Sequence, residues 1–76
     1  MSTVKKVAAN IKNARLYRNY SQDYLAMKLN ISQNAYSKIE LGYTRVTMQR
    51  LFIIAEVLEI DVAELITDKA TYKLAV

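Results

Sequence analysis

Apolar residues recur along most of the chain at intervals of three and four, the spacing of one face of a helix. Val4, Val7, Ile11 and Ala14 share a face of a first helix that starts at Ser2 or Thr3 as N-cap and frays near Asn19. Ser21 caps a second helix with Leu25, Ala26 and Leu29 turned inward. Asn30 stands at its end, where a residue tolerant of the left-handed conformation is needed. Ser32 caps a third helix, whose buried stripe is Tyr36 and Ile39 and whose stop is Gly42, the single glycine. Thr47 opens a fourth with Met48, Leu51, Ile54, Ala55 and Leu58 on its core face. Asp61, with Glu64 three residues later, makes a capping-box-like start for a fifth that carries Val62, Leu65 and Ile66. After Thr67 the pattern changes, and residues 71–76 alternate polar and apolar as a strand does. With no proline in the chain, this pattern predicts an all-α fold, a compact bundle of five short helices.

Composition narrows the function classes. With 76 residues there is room for one small domain and one core, and 53% hydrophobic residues make folding without staples feasible. Cysteine and histidine are both absent, which removes disulfides, structural zinc, thiolate nucleophiles and the usual near-neutral general base. Carboxylates, Lys, Tyr, Ser and Thr remain, but a domain of this size rarely encloses a substrate, so no enzyme, cofactor, metal or small-molecule substrate is expected. The longest apolar run, Leu51 to Ala55, is far short of the roughly 20 residues of a membrane helix, and Lys5 and Lys6 precede no signal-peptide core. A cytoplasmic protein without membrane contact is the expectation.

Charge is distributed unevenly. Residues 1–50 carry nine Lys and Arg against Asp23 and Glu40, a net +7, whereas in residues 51–76 Lys69 and Lys73 face five carboxylates, a net −3. A polyanion is drawn to the basic part, so the first two-thirds of the chain is the candidate binding face and the last third points elsewhere.

Helices two and three are joined by about three residues, with Ala26 where they would cross, and this is the spacing of a helix-turn-helix. The stretch SQDYLAMKLNISQNAYSKIE, from Ser21 to Glu40, closely resembles the phage-repressor and Cro-type helix-turn-helix proteins, the Xre family. Gln22, Leu25, Ala26, Leu29, Ile31 and the string Ser37-Lys38-Ile39-Glu40 stand in that family's places, and the likeness extends over about residues 7–66. It implies a lambda-repressor-like fold, with a helix-turn-helix DNA-binding domain over residues 1–69 and a C-terminal tail over residues 70–76. Four positions depart from the family pattern: Asn30 for a turn glycine, Tyr36 for an aliphatic core residue, Val46 for a proline and Glu59 for a glycine. None removes a DNA contact, but a buried Tyr36 hydroxyl needs a hydrogen-bond partner or a path to water.

If Tyr36 and Ile39 face the core, Gln33, Asn34, Ser37 and Lys38 lie together outward. On an isolated helix they would be ordinary solvated residues. Within a helix-turn-helix they are the base-reading set, since Gln and Asn bond bidentately to adenine and Lys donates to guanine. The resemblance implies a phosphate contact for Gln22 at the start of helix two, where backbone N–H groups hold anions in any protein. Ser32, Tyr43, Thr44 and Arg45, together with Lys38 and Arg18, are further phosphate candidates. It also implies a structural ion pair of Arg15 with Glu40, and a two-fold contact near the end of the fifth helix. Leu65, Ile66, Tyr72, Leu74 and Val76 are the expected dimer residues, because the basic part must lie against phosphates.

These readings converge on a sequence-specific transcriptional regulator that binds double-stranded DNA at a palindromic operator as a homodimer, through a recognition helix over residues 32–41. The alternative is an antitoxin or protein-interaction module of the same fold, with a protein partner such as a toxin. Phe52, Ile53 and Val57, which lie off the core face of helix four, would serve a partner or a second copy equally.

Overall fold

The computed structural model describes residues 3–67. Five helices follow one another: α1 (Thr3–Tyr17), α2 (Gln22–Leu29), α3 (Gln33–Glu40), α4 (Met48–Leu58) and α5 (Ala63–Ile66). No strand occurs among the described residues, and the whole tail, with its alternating segment at 71–76, lies outside them.

Each start of the three middle helices is set by a local hydrogen bond. Ser21, Ser32 and Thr47 all have extended backbone angles, and their side-chain oxygens accept from the N–H groups of Tyr24 (3.0 Å), Ala35 (3.0 Å) and Arg50 (3.1 Å). Each bond satisfies one of the N–H groups that a first helical turn leaves without an acceptor.

The ends share a second device, a residue with left-handed angles that lets the next N–H fold back onto the last turn. Asn19 (φ 61°), Asn30 (φ 59°), Gly42 (φ 78°) and Glu59 (φ 58°) hold these positions. Behind them Tyr20 donates to the Arg15 carbonyl, Ile31 to Ala26, Tyr43 to Lys38 and Ile60 to Ala55, all within 3.0 to 3.1 Å. Gly42 has a second constraint, because a Cβ there would lie 3.1 Å from Cγ of Lys5.

Glu59 is the costly member of the set, since a left-handed residue with a Cβ loses roughly 1–2 kcal/mol. Arg18 holds it there by donating from Nε to the Leu58 carbonyl (2.8 Å) and from Nη2 to the Glu59 carbonyl (3.0 Å). Glu59→Gly is therefore expected to raise stability by about 1 kcal/mol in urea titrations, the relief of strain being partly offset by a more flexible unfolded chain. An unchanged or lowered midpoint would show that the position is unstrained.

The core is built from all five helices, with Ile11, Leu25, Tyr36, Ile54, Leu58 and Leu65 its largest fully buried side chains. Short α5 is fastened to α1 by Asn10, whose Nδ2 donates to the carbonyls of Leu65 (3.0 Å) and Thr67 (2.8 Å). Asn10 is itself buried, a place that nothing in the hydrophobic pattern marks.

Several expectations need correction. Leu65 is not available to a second copy: it is 0% exposed, because α5 lies across α1 and turns Leu65 into the core. Met48, expected on the core face of α4, is 60% exposed. The buried stripe begins one turn later, at Leu51, where other helices cover it. Ile66, expected with Leu65 at the two-fold contact, is by contrast about half exposed, as the face of a four-residue helix is too narrow to turn both inward.

Candidate nucleic-acid interface

α2 and α3 are joined by Asn30, Ile31 and Ser32. Ala26 is buried, and its small side chain lets the two helices close on each other. Tyr36, Ile39 and Glu40 take the inner face of α3. Gln33, Asn34 and Lys38 stand exposed on the outer face, and Ser37 is half-buried beside them.

The inner face is fixed by a hydrogen-bonded charge cluster. Arg15 on α1 donates from Nε to Oε2 of Glu40 (2.6 Å) and from Nη2 to Oε1 (3.0 Å), and Nη1 reaches the Tyr20 carbonyl (2.8 Å). Both side chains of the pair are less than a tenth exposed. Tyr36 supplies its hydroxyl to Oε2 of Glu40 (2.5 Å), which answers the need of a buried phenol for a partner. Gln22 completes the set from the first residue of α2, with Nε2 donating to Oε1 of Glu40 (3.1 Å). One carboxylate thus ties α1, the start of α2 and the end of α3.

Ionisation follows from these contacts. The hydrogen bond to Glu40 raises the Arg15 pKa, against the opposing effect of burial. Burial alone would raise the Glu40 carboxyl, but the hydrogen bonds from Arg15, Tyr36 and Gln22 outweigh it and hold the group below its ordinary value. Burial, and then the neighbouring Glu40, push the Tyr36 phenol well above its ordinary value, so it stays protonated as a donor. No buried side-chain nitrogen or oxygen among the described residues lacks a partner, so the cluster is closed and is suited to holding helices in place.

The candidate phosphate residues are dispersed more widely. Gln22 sits at the start of α2, and Ser32 at the start of α3 with its oxygen engaged as a cap. Tyr43, Thr44 and Arg45 are exposed on the loop between α3 and α4. Arg18 is directed elsewhere: its guanidinium is taken up by the two carbonyls at the end of α4, which makes it a helix-end cap in place of the phosphate ligand expected.

Between α3 and the start of α4 runs an open cleft of about 360 Å³. Ile31, Ala35 and Ile39 line it with Ser32, Asn34, Lys38, Thr44 and Arg50, and no carboxylate is among them. Arg50 was absent from the sequence-based set, because its position along α4 says nothing of which helix lies opposite. Of the expected dimer residues, Ile66 is exposed and Tyr72, Leu74 and Val76 lie outside the described residues. Among the described residues no cluster of metal-ligating side chains occurs, and no helix is long and apolar enough to cross a membrane.

Comparison with known proteins places this geometry. Among solved structures the chain is similar to a hypothetical transcription factor, NHTF, from Neisseria. The TM-score is 0.82 over 97% of this chain and 84% of that one, and the identity of 18% makes this a likeness of fold. No curated protein matches. The family model described as Helix-turn-helix matches residues 11–65, a span from the middle of α1 into α5 that takes in the whole charge cluster and the outer face of α3. The chain belongs to the Xre-type helix-turn-helix family of DNA-binding proteins.

Proposed function

We propose that the protein is a sequence-specific transcriptional regulator that binds a palindromic operator as a homodimer, with residues 32–41 in the major groove. The observation that carries this reading is the division of α3 into two faces. Tyr36, Ile39 and Glu40 are buried against the other helices, so the outer residues Gln33, Asn34 and Ser37 are presented on a rigid support. Their amides and hydroxyl match the donors and acceptors of base edges, with Lys38 adding positive charge at the end of the same face. Gln22, Ser32, Tyr43, Thr44 and Arg45 flank this face and are assigned to backbone phosphates, which position the helix without reading sequence.

A dimer is proposed because one module of this size makes too few contacts for operator affinity, and a two-fold protein matches a two-fold site. Its contact is assigned to the acidic end of the chain, with Ile66 and the apolar tail residues Tyr72, Leu74 and Val76.

Selection from a random duplex library, followed by sedimentation of the protein alone and on its best duplex, tests the reading. The expected result is a two-fold symmetric sequence with half-sites about one helical turn, roughly 34 Å, apart, bound by a dimer. Affinity should fall linearly with salt on logarithmic axes. If no duplex shows salt-sensitive binding, the regulator reading is wrong.

A further inference from the structure

Two arginines of this chain are used up by the fold: Arg15 by Glu40 and the Tyr20 carbonyl, and Arg18 by the end of α4. Arg50 differs. It is half-buried in the first turn of α4, and its guanidinium makes no hydrogen bond or ion pair with a described residue. It lines the cleft between α3 and α4 with Lys38, and no carboxylate lies there to neutralise either. Two cations lining one cleft with no counter-charge between them attract an anion from outside. Lys38 is exposed in the last turn of α3, on the side that borders this cleft.

We propose that Lys38 and Arg50 form a clamp across this cleft for a single backbone phosphate of the DNA, so that Lys38 serves the backbone and Gln33, Asn34 and Ser37 are left to read bases. The guanidinium of Arg50 offers two parallel N–H groups to phosphate oxygens, and the ammonium of Lys38 adds a point charge from the other rim. The Thr44 hydroxyl lines the same cleft as a further donor. The assignment rests on the DNA-binding reading and extends it to a residue outside the helix-turn-helix.

The test compares wild type, Lys38→Ala, Arg50→Ala and the double variant on the selected duplex and on single-base variants of it, over a range of salt, with melting curves to establish folding. Each single change is expected to weaken every duplex by the same factor, about tenfold per half-site for a charged hydrogen bond, and to leave the ranking of duplexes unchanged. Because the two side chains share one phosphate, the double change should cost less than the product of the singles. It should shallow the logarithmic salt slope by about 0.9 per half-site, the value for one phosphate. A duplex with a methylphosphonate at the clamped position of each half-site should bind wild type and double variant alike, a readout that does not depend on the fold of any single variant.

A changed ranking with Lys38→Ala would return that residue to base reading and overturn the clamp. So would unchanged binding with Arg50→Ala, or a double variant whose slope falls by about two phosphates per half-site, which means separate contacts. If wild type itself binds no duplex, the regulator reading fails as a whole, and that outcome is distinct from a wild type that binds with variants that do not respond.

Discussion

Arg15→Ala and Glu40→Ala are each expected to destabilise the protein by about 3–5 kcal/mol, because each leaves a buried partner charge uncompensated. Both side chains of the pair are less than a tenth exposed, so the weak coupling of about 0–1 kcal/mol typical of surface pairs does not apply. A loss of that size is comparable to the whole stability of a small domain, about 5–15 kcal/mol, so either variant should be partly unfolded near physiological temperature. The double variant should lose less than the sum, since removing both charges leaves none unpaired. Urea titration of the four proteins measures the coupling, and strict additivity would show that the two groups do not depend on each other. Tyr36→Phe should fall between wild type and these variants, as Glu40 then keeps Arg15 and Gln22 as donors.

The same cluster predicts a pH profile. The folded-state pKa of Glu40 is depressed, so its contribution is present in full above the unfolded value of about 4.3 and is lost as pH falls below it. There the unfolded chain takes up the proton first. The folded-state pKa of Tyr36 is raised, so its contribution holds up to about pH 10 and declines above that as the unfolded chain releases the phenol proton first. Urea midpoints should therefore be level through neutral pH and fall at both extremes, and a midpoint that improved below pH 4 would contradict the arrangement.

The second large effect concerns specificity. Gln33→Ala and Asn34→Ala should each cost about 1–3 kcal/mol per half-site on the selected operator, and a homodimer carries the loss twice. The cost should be confined to particular base pairs: duplexes altered at those positions should bind wild type and variant alike. Binding titrations on a panel of single-base variants give the answer, and an equal loss on every duplex would move Gln33 or Asn34 from the bases to the backbone. Stability should hardly change, because both side chains are exposed and outside the charge cluster.

Much of the fold is legible in the chain because its signals are short-range. Ser21, Ser32 and Thr47 cap helices with bonds to the third residue onward, and Asn30 and Gly42 end them through their own backbone freedom. The stripe of Tyr36 and Ile39 likewise follows from helical spacing alone, and with it the outward position of Gln33, Asn34 and Lys38. These features predict helices, the turn between α2 and α3, and which side of α3 faces out.

Tertiary structure decided what lies opposite each side. Leu65 is core and Ile66 is not because α1 passes over one of two apolar neighbours, and Met48 is exposed because it lies on the side of the first turn of α4 that the other helices leave uncovered. Arg18 caps a helix end forty residues away, Asn10 fastens α5, and Glu59 keeps a left-handed backbone that Arg18 holds in place. Arg50 shares a cleft with Lys38 for the same reason. Helical periodicity and capping are properties of three or four consecutive residues and can be read from them. Burial, pairing and cleft formation depend on which distant segment fills the space beside a side chain, and that is determined only when the helices pack.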